Sequence, residues 1–386
     1  MNWEKVKLGE LYTVHNGLSK GSKFFGAGYP FLSFSTVFNN YFIPDELVDL
    51  VQSDEKEQKN YSISRGDVFV TRTSETSDEL GMSCVALKDY PKATYNGFTK
   101  RMRPIATDRV LPEYIGYYMR MPSFRGEFQA FSTMTTRASL KNEDLLSLTI
   151  ALPPMEQQIR IAEILQTYDK LIENNQKQIK LLEEAAQRIY KEWFVDLHFP
   201  RYEDVKVVDG VPEGWNKELI GNVIGKVSRT KQIKTADYLL EGSIPIIDQS
   251  RDFIAGYTND SEALVNTRTP VIVFGDHTRI LKYIQFPFAK GADGTQLIIS
   301  DRTNMPQSLL YLSLVAVDLS NYHYARHFKY LKAESILIPS QDVADEFDRL
   351  ISPIFSQIQK LREICNKLSE ARDRLLPKLM SGEIEV

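Results

Sequence analysis

The chain contains 386 residues, 42% of them hydrophobic, which is typical of two or three globular domains and not of a disordered or membrane-embedded protein. A formal net charge of −4 and a content of two cysteines argue against a uniformly basic nucleic-acid binder and against a disulfide-stabilised secreted protein. No apolar run has the length of a membrane span, and the first residues, MNWEKVKLGEL, lack the pattern of a signal peptide. We therefore expect a cytoplasmic protein that binds no membrane.

Residues 1–152 are predicted to form a mixed α/β unit. The runs YPFLSFS and GDVFVTR combine β-branched and aromatic residues between turn formers, as strands do, and PEYIGYYMRMPSF predicts a helix with its tyrosines in the core. Clustered basic side chains favour contact with the phosphates of nucleic acid. Polar side chains that follow a strand are suited to reading the edges of nucleobases. The candidate DNA-contacting residues here are Lys20, Lys23, Thr71, Arg72, Thr73, Ser74, Lys100, Arg101 and Arg137.

Residues 153–200 are predicted to contain one long helix, because their apolar residues repeat with the period of a coiled coil. Pro153 and Pro154 suit the first turn, where an N–H would have no helical partner. Asn175 stands on the apolar seam, and a single amide at such a position typically fixes register. The predicted seam consists of Ile161, Leu165, Tyr168, Ile172, Asn175, Ile179, Leu182 and Ile189.

Residues 201–212 are interpreted as a charged linker and residues 213–338 as a second mixed α/β unit, with strands at TPVIVFG and SILIP. Both units are close to neutral, at 0 and +1, whereas residues 153–212 carry −3 and residues 339–386 carry −2. DNA contact therefore requires local basic clusters and not overall charge. The candidate DNA-contacting residues here are Arg229, Lys231, Lys234, Arg251, His277, Thr278, Arg279, Gln296 and Arg326.

The second half of the chain repeats the first. NWEKVKLGEL matches GWNKELIGNV at an offset of 212, GDVFVTR matches TPVIVFG at 203, and LPEYIGYYM matches MPQSLLYLS at 194. The long helix matches residues 339–386 at 186 without a gap, which predicts a second helix of equal length and a spacer role for both. Its predicted seam consists of Phe347, Ile351, Ile354, Ile358, Leu361, Leu368 and Leu375.

Connectivity predicts that the two helices run antiparallel. The first helix ends where the second unit begins, and the second helix begins where that unit ends, so a short route in and out starts one helix beside the end of the other. A helix of roughly 40 residues is about 60 Å long, which we expect to set the separation of the two units.

Catalytic motifs are not found in credible form. The sequence contains no Walker loop and no methyltransferase motif, so we expect no catalytic residue, no metal ligand and no cofactor. Asp45 with Glu57 imitates a metal-dependent nuclease signature, but the polar run around Glu57 is unlike the strand that such a site needs. His323 and His327 have metal-ligand spacing only if their segment is helical.

Five motifs carry a resemblance to a known family. They are WEKVKLGEL, LPPMEQQIRIAEIL, KEWFVDLHFP followed by GVPEGW, FGDHTR with GADGTQ, and RDRLLPKLMSGEI. Together they make the whole chain resemble the specificity subunit of type I restriction-modification systems. The resemblance implies an α+β fold in which two target-recognition domains are separated by two antiparallel coiled-coil helices in a pseudo-twofold repeat.

The same resemblance implies a non-catalytic subunit that reads a split double-stranded DNA site, one half with each unit. Its implied partners are two methylation subunits, which would bind S-adenosylmethionine in place of this chain, and the restriction subunits of a full complex. Two other classes stay open on the sequence. One is a coiled-coil scaffold without DNA affinity, and the other is a restriction enzyme with its own nuclease site.

Overall fold

The computed structural model describes residues 3–74, 80–130, 138–322 and 326–386, which form two compact units. The first unit comprises Met1–Ile172 with Asn366–Val386, and the second comprises Glu173–Cys365. Each unit thus takes in part of both long helices. The predicted boundaries before residues 153 and 339 lie just ahead of the two long helices, whereas the boundaries of the compact units lie within those helices. Among the described residues, no helix is long and apolar enough to cross a bilayer.

The first unit is built from short strands and helices that lead into one long helix. Its strands are β1 Glu4–Lys7, β2 Tyr12–Asn16, β3 Phe25–Leu32, β4 Leu50–Val51, β5 Val68–Thr71, β6 Thr73–Ser74, β7 Ser83–Val85, β8 Thr94–Tyr95, β9 Thr99–Pro104, β10 Ala138–Ser139 and β11 Thr149–Leu152. Its helices are α1 Leu8–Leu11, α2 Phe34–Asn39, α3 Glu55–Asn60, α4 Pro112–Tyr118, α5 Pro122–Ala130, α6 Asn142–Ser147 and α7 Met155–Tyr190, which continues into the second unit.

The second unit contains the C-terminal part of α7 and a π-helical turn at Lys191–Val195, and its strands follow that turn. Its strands are β12 Val207–Val208, β13 Val211–Pro212, β14 Asn216–Leu219, β15 Ile224–Gly225, β16 Ile244–Ile247, β17 Gly256–Thr258, β18 Leu264–Val265, β19 Val271–Gly275, β20 Leu281–Ile284, β21 Phe288–Lys290, β22 Thr295–Ser300 and β23 Ser335–Ile338. Its helices are α8 Gln307–Val315, α9 His327–Ala333 and α10 Gln341–Ser381, which ends in the first unit.

Both units contain the same kind of four-stranded antiparallel sheet, ordered β2-β9-β5-β7 in the first and β15-β22-β19-β20 in the second. Each also has a second sheet with one parallel pair, β3 with β8 in a three-stranded sheet and β16 with β21 in a four-stranded one. The core of the first unit packs its large sheet against α4, α5 and α7, and that of the second packs its sheet against α8 and α10. These mixed sheets and helices are the α+β units that the sequence predicts.

The internal repeat is visible in strand register. Glu4 pairs with Leu152 in the first unit, and Asn216 pairs with Ile338 in the second, which reproduces the offsets of 212 and 186. A glycine follows each first strand at equivalent places. A side chain on Gly9 would lie 3.2 Å from a backbone oxygen of α6, and one on Gly221 would lie 3.1 Å from a backbone oxygen of α9.

The predicted offset of 203 between β5 and β19 is wrong by one residue. Val68 lies in the core that also contains residues of α7, and so does its true counterpart Ile272, whereas Val271 faces the opposite side of its sheet. Strand pairing agrees, since Thr71 is opposite Thr99 and Gly275 is opposite Thr295. The offset at this strand is therefore 204, because a slip of one residue turns a strand side chain to the other face.

The two long helices run antiparallel within each unit. In the second unit Arg362 contacts Glu183 with Nη2 and Oε1 2.7 Å apart, and the rings of Phe194 and Phe347 are 4.9 Å apart. Residues nearer the C-terminal end of α7, and in the turn that follows it, therefore contact residues nearer the N-terminal end of α10. In the first unit Arg372 pairs with Asp169 at 2.6 Å, and α7 residues share a core with residues 376–380.

All predicted seam residues are buried or half-buried. Ile161 and Leu165 are buried in the first unit, as are Phe347 and Ile351 in the second. Asn175 forms a hydrogen bond to Cys365 across the seam. Burial raises the pKa of the Cys365 thiol, and this hydrogen bond acts in the opposite direction.

The segment predicted as a linker folds into a small hairpin, in which β12 pairs with β13. Its turn residues Asp209 and Gly210 have φ values of +50° and +76°. Positive φ at both central residues is the geometry for which Asp-Gly turns are favoured, so the sequence contained this signal.

Candidate nucleic-acid interface

Three chain segments meet beyond the end of β5 in the first unit. The backbone N–H of Arg72 donates to the carbonyl of Phe98 at 3.0 Å, and the N–H of Leu140 donates to the carbonyl of Arg72 at 2.9 Å. We call Arg72, Phe98 and Leu140 the first loop junction. A further loop lies against it, since the N–H of Gly17 donates to the carbonyl of Thr99 at 3.2 Å.

The second unit repeats this arrangement beyond the end of β19. The N–H of Asp276 donates to the carbonyl of Gly294 at 2.7 Å, and the N–H of His327 donates to the carbonyl of Asp276 at 2.9 Å. We call Asp276, Gly294 and His327 the second loop junction. The two junctions have the same backbone hydrogen bonds but different residue types at every equivalent position.

Gln249 braces the loops beside the second junction. Its Nε2 donates to the carbonyl of Asp293 at 2.8 Å, and its Oε1 accepts from the backbone N–H of His277 at 3.1 Å. The hydroxyl of Thr278 donates to the Gln249 carbonyl at 2.7 Å. One residue therefore ties the exit of β16 to the β19–β20 turn and the β21–β22 loop, which brings FGDHTR and GADGTQ together.

Thr71 and Arg101 were predicted to contact DNA, but the structure buries both. Thr71 is fully buried, and its hydroxyl accepts from the backbone N–H of Met82 at 2.9 Å. Arg101 is 8% exposed, donates to the Ser62 carbonyl at 2.7 Å and stacks 5.4 Å from the Tyr95 ring. Both lie on β5 and β9, the inner strands of the large sheet, where neighbours cover both faces. Their predicted role in DNA contact does not fit this structure.

Lys100 is a third predicted contact that the structure buries, at 5% exposure. Its ammonium donates to Oδ1 of Asn142. Burial lowers the pKa of Lys100, the neighbouring charge of Arg72 lowers it further, and Asp144 acts in the opposite direction. A buried ammonium cannot reach a phosphate without moving, so we withdraw Lys100 as a phosphate contact. Its positive charge instead lies near enough to Arg72 for the two charges to interact.

The remaining candidates of the first unit divide by exposure. Lys20 is held by Glu57, with Nζ and Oε2 2.6 Å apart, whereas Lys23 is exposed, with its Nζ 5.1 Å from the Phe24 ring. Arg72 is half-buried at the junction. The structure describes Thr73 and Ser74 by their backbone alone, as β6, and Arg137 lies outside the described residues.

The second unit leaves its candidates nearer the solvent. Lys231 is exposed but pairs with Asp260 at 2.6 Å, and Arg279 donates from Nη1 to the Leu319 carbonyl at 3.0 Å from a backbone with a φ of +61°. Gln296 is half-buried on β22. The exposed candidates are Arg229, Lys231, Lys234, Arg251, His277, Thr278, Arg279 and Arg326.

The residues of the imitated nuclease signature are engaged elsewhere. Glu57 lies on helix α3 and pairs with Lys20, and Asp45 pairs with Lys88 at 2.8 Å. Both ring nitrogens of His327 face backbone carbonyls, at 2.9 and 3.1 Å, and His323 lies outside the described residues. Within the described part of the chain, no group of three His, Cys, Asp or Glu side chains is arranged to hold a metal ion.

Sequence reasoning missed three residues at the junctions. Gln249 follows strand β16, so the rule that selected residues after β5 and β19 would have found it. Phe98 is 55% exposed on the turn between β8 and β9, and Gln232 donates to Oδ1 of Asp293 at 3.2 Å. No pattern in the sequence marks an exposed phenylalanine, because most phenylalanines of such a unit are buried.

Comparison with known proteins agrees with this architecture. Residues 1–184 match the family model described as the type I restriction modification DNA specificity domain. The chain is 24% identical to the type I restriction enzyme MjaIX specificity subunit of Methanocaldococcus jannaschii, over 100% of this chain and 94% of that protein. It is also 24% identical to the EcoR124I/EcoR124II specificity subunit of Escherichia coli, over 47% of this chain and 48% of that one.

The fold has a counterpart among solved structures. The crystal structure of the type I restriction-modification system S subunit from M. genitalium matches 98% of this chain and 96% of its own, with a TM-score of 0.56 and 14% identity. The predicted α+β fold class with paired long helices is thus confirmed. The family match of residues 1–184 defines the class of protein as one with a DNA specificity domain, built here from two repeated units and a helix pair. Residues 1–184 belong to the family of the type I restriction modification DNA specificity domain, and the chain over its whole length is similar to type I restriction-modification specificity subunits.

Proposed function

We propose that this chain reads a bipartite, asymmetric DNA site, one half with each unit, as the recognition subunit of a type I restriction-modification complex. The observation that carries the proposal is the repeated loop junction. The same backbone hydrogen bonds present Arg72 and Phe98 in one unit and Asp276 and Gly294 in the other. A shared frame with different side chains is suited to reading two different base sequences, since sequence is read by side chains at base edges.

Exposed lysine side chains beside each junction support contact with DNA phosphates. Lys23 stands in the loop that follows β2, and Lys234 stands in the equivalent loop after β15. The equivalence rests on one backbone contact per unit, from the N–H of Leu18 to Tyr95 at 2.9 Å and from the N–H of Ile233 to Lys290 at 3.0 Å. Lysines in such loops would hold the DNA backbone while exposed side chains around each junction, such as Phe98 in the first unit and His277 in the second, face the bases.

The remaining parts of the proposal concern partners and chemistry. We propose that the chain is not itself catalytic, that S-adenosylmethionine binds to partner methylation subunits, and that two such subunits dock on the helix pair. A complex that cleaves DNA would add restriction subunits. The family and the repeat support this assignment, because one helix pair offers a similar surface to each of two identical partners.

The two alternatives are weaker on specific grounds. A scaffold without DNA affinity gives no reason for the same junction to carry divergent polar loops in both units. A nuclease would need Asp45 and Glu57 to meet at a metal ion, but each is paired with a lysine. Binding of the reconstituted complex to duplex DNA, with an affinity that falls as salt rises, would exclude the scaffold.

The decisive experiment compares Arg72→Ala with Arg279→Ala in a complex reconstituted with the methylation subunits. Genome-wide mapping of methylated sites should show that Arg72→Ala relaxes one base pair in one half of the site, at a cost of roughly 1 to 3 kcal/mol. Arg279→Ala should relax the other half. If both variants altered the same half, the assignment of halves to units would be wrong. Methylation by the purified chain alone would contradict a non-catalytic subunit.

A further inference from the structure

Phe98 is exposed and does not contribute to the described hydrophobic cores of its unit. Its side chain is 55% exposed and, among the described residues, belongs to neither core cluster of the first unit. A phenylalanine left in water forgoes the stabilisation that its burial would contribute. Single exposed apolar side chains are common, so exposure alone assigns nothing. The position and rigidity of the ring carry the argument further.

The backbone of Phe98 is held on both sides. Its N–H donates to Oδ1 of Asn96 at 2.7 Å, and its carbonyl accepts from the N–H of Arg72 at 3.0 Å. The preceding Gly97 is pressed against the neighbouring loop, since a side chain there would lie 2.2 Å from the hydroxyl of Ser19. The ring is therefore presented from a fixed turn directly beside Arg72, which lowers the ordering cost of a contact.

The second unit shows that the turn does not need this ring. Thr99 and Thr295 are equivalent and fully buried, and the residue before Thr295 is Gly294, with a φ of +84°. Gly294 makes the same backbone hydrogen bond as Phe98 and has no side chain. The first unit thus carries an aromatic ring at a place where the shared frame is complete without one.

We propose that Phe98 contacts the 5-methyl group of a thymine in the major groove, one base pair from the base that Arg72 reads. This inference rests on the proposed DNA-reading function. An apolar ring cannot hydrogen-bond to base edges, and the thymine methyl is the apolar group that an unmodified base pair offers in the major groove. The adjoining arginine favours that groove, because bidentate arginine contacts to guanine are made there. The half-site read by the first unit therefore contains a thymine on one strand.

The test removes one methyl group at a time from the DNA. Each thymine of the mapped site is replaced by deoxyuridine, which keeps base pairing and lacks only the methyl. At one position in the first unit's half, the wild-type complex should lose affinity about fourfold, as for loss of one buried methyl group. Phe98→Ala should weaken binding of the unmodified site by about tenfold and be indifferent to deoxyuridine at that position. Deoxyuridine in the other half should act equally on both complexes.

Three outcomes would overturn the inference. In the first, Phe98→Ala binds the unmodified site as tightly as the wild-type complex does. In the second, deoxyuridine weakens binding of Phe98→Ala as much as it weakens binding of the wild type. In the third, the half-site read by the first unit contains no thymine. An undiminished effect with reduced DNA bending would indicate a wedge between base pairs. Phe98→Leu should retain part of the sensitivity, and normal reading of the second half by both variants shows that they fold. Failure of the wild-type complex to bind its mapped site would instead refute the proposed function.

Discussion

The two units share the backbone structure of their loop junctions but differ in the side chains that the junctions carry. At the loop junctions the backbone hydrogen bonds are the same, with Arg72 bound to Phe98 in one unit and Asp276 bound to Gly294 in the other. The side chains nevertheless serve different purposes. Asp276 is buried and its Oδ1 accepts from the N–H of Phe328 at 2.7 Å, so it braces the start of α9, whereas Arg72 stands half-buried beside an exposed ring.

A second contrast lies inside the sheets. In the first unit Asp67 is fully buried and bidentate to Arg103, with Nε–Oδ1 and Nη2–Oδ2 distances of 2.7 and 2.6 Å. This hydrogen bonding raises the pKa of Arg103. The equivalent positions of the second unit are Val271 and Ile299, which pack in an apolar cluster. The frame therefore tolerates either an ion pair or two aliphatic side chains, so an ion pair is not a requirement of the fold.

Gly17→Ala should have the largest effect on stability. A side chain at Gly17 would lie 1.9 Å from the backbone carbonyl oxygen of Asn96, which must then move, whereas the residue 212 positions later is Arg229. We expect urea unfolding to show a loss of stability at or above the upper end of the roughly 1 to 3 kcal/mol that is typical of overpacking. Gly21→Ala is the control, since nothing lies within 4 Å of its added carbon. Equal stabilities would contradict the tight contact between these loops.

Asp67→Val should cost about 3 kcal/mol, because it leaves the partly buried charge of Arg103 without its partner. Asp67→Val with Arg103→Ile imports the pair of the second unit and should recover most of that loss. Recovery would be incomplete, because the N–H of Ser64 donates to Asp67 at 2.8 Å and would lose this acceptor. Urea midpoints of the three proteins measure the coupling. A double variant no more stable than Asp67→Val would mean that the two sheets are not interchangeable here.

Adding one heptad to both long helices, near Asn175 and Leu361, should separate the half-sites without changing either. Seven residues lengthen a helix by about 10 Å, equivalent to about three base pairs of DNA. The added base pairs also rotate the duplex by roughly a third of a turn, so affinity should fall unless the complex absorbs the twist. Genome-wide methylation mapping is the measurement. An active variant that kept the original gap would show that the helices do not measure the site.

The smallest effects are expected from lysines beside the junctions. Lys23→Ala and Lys234→Ala should each reduce the slope of log affinity against log salt by about 0.9, as for one lost phosphate contact, without changing sequence preference. Lys20→Ala and Lys231→Ala are the matched controls, because each of these side chains is already paired with a carboxylate. The same change of slope in all four variants would mean that the carboxylate pairs do not matter for DNA contact.

The helices and the repeat could be predicted from the sequence, because their signals are periodic and local. The seam from Ile161 to Ile189 follows from residue spacing, and the offsets of 212 and 186 reappear as strand register. The 203 offset failed because a short apolar strand matches its repeat almost equally well in two registers. Pairing with both neighbours decides between them, and that information is not local.

The surface of the candidate interface was decided by tertiary structure. A cluster of basic residues in a sequence does not show which side chains face water. The fold buries Lys100 against Asn142 of α6, and it buries Arg101 against the Tyr95 ring. The bracing amide of Gln249 and the exposed ring of Phe98 depend on loops that are distant in sequence and adjacent in space. The sequence alone determined that two related units share a helix pair. Only the packing of separate strands decided which side chains each unit presents, because burial is a property of neighbours and not of residue type.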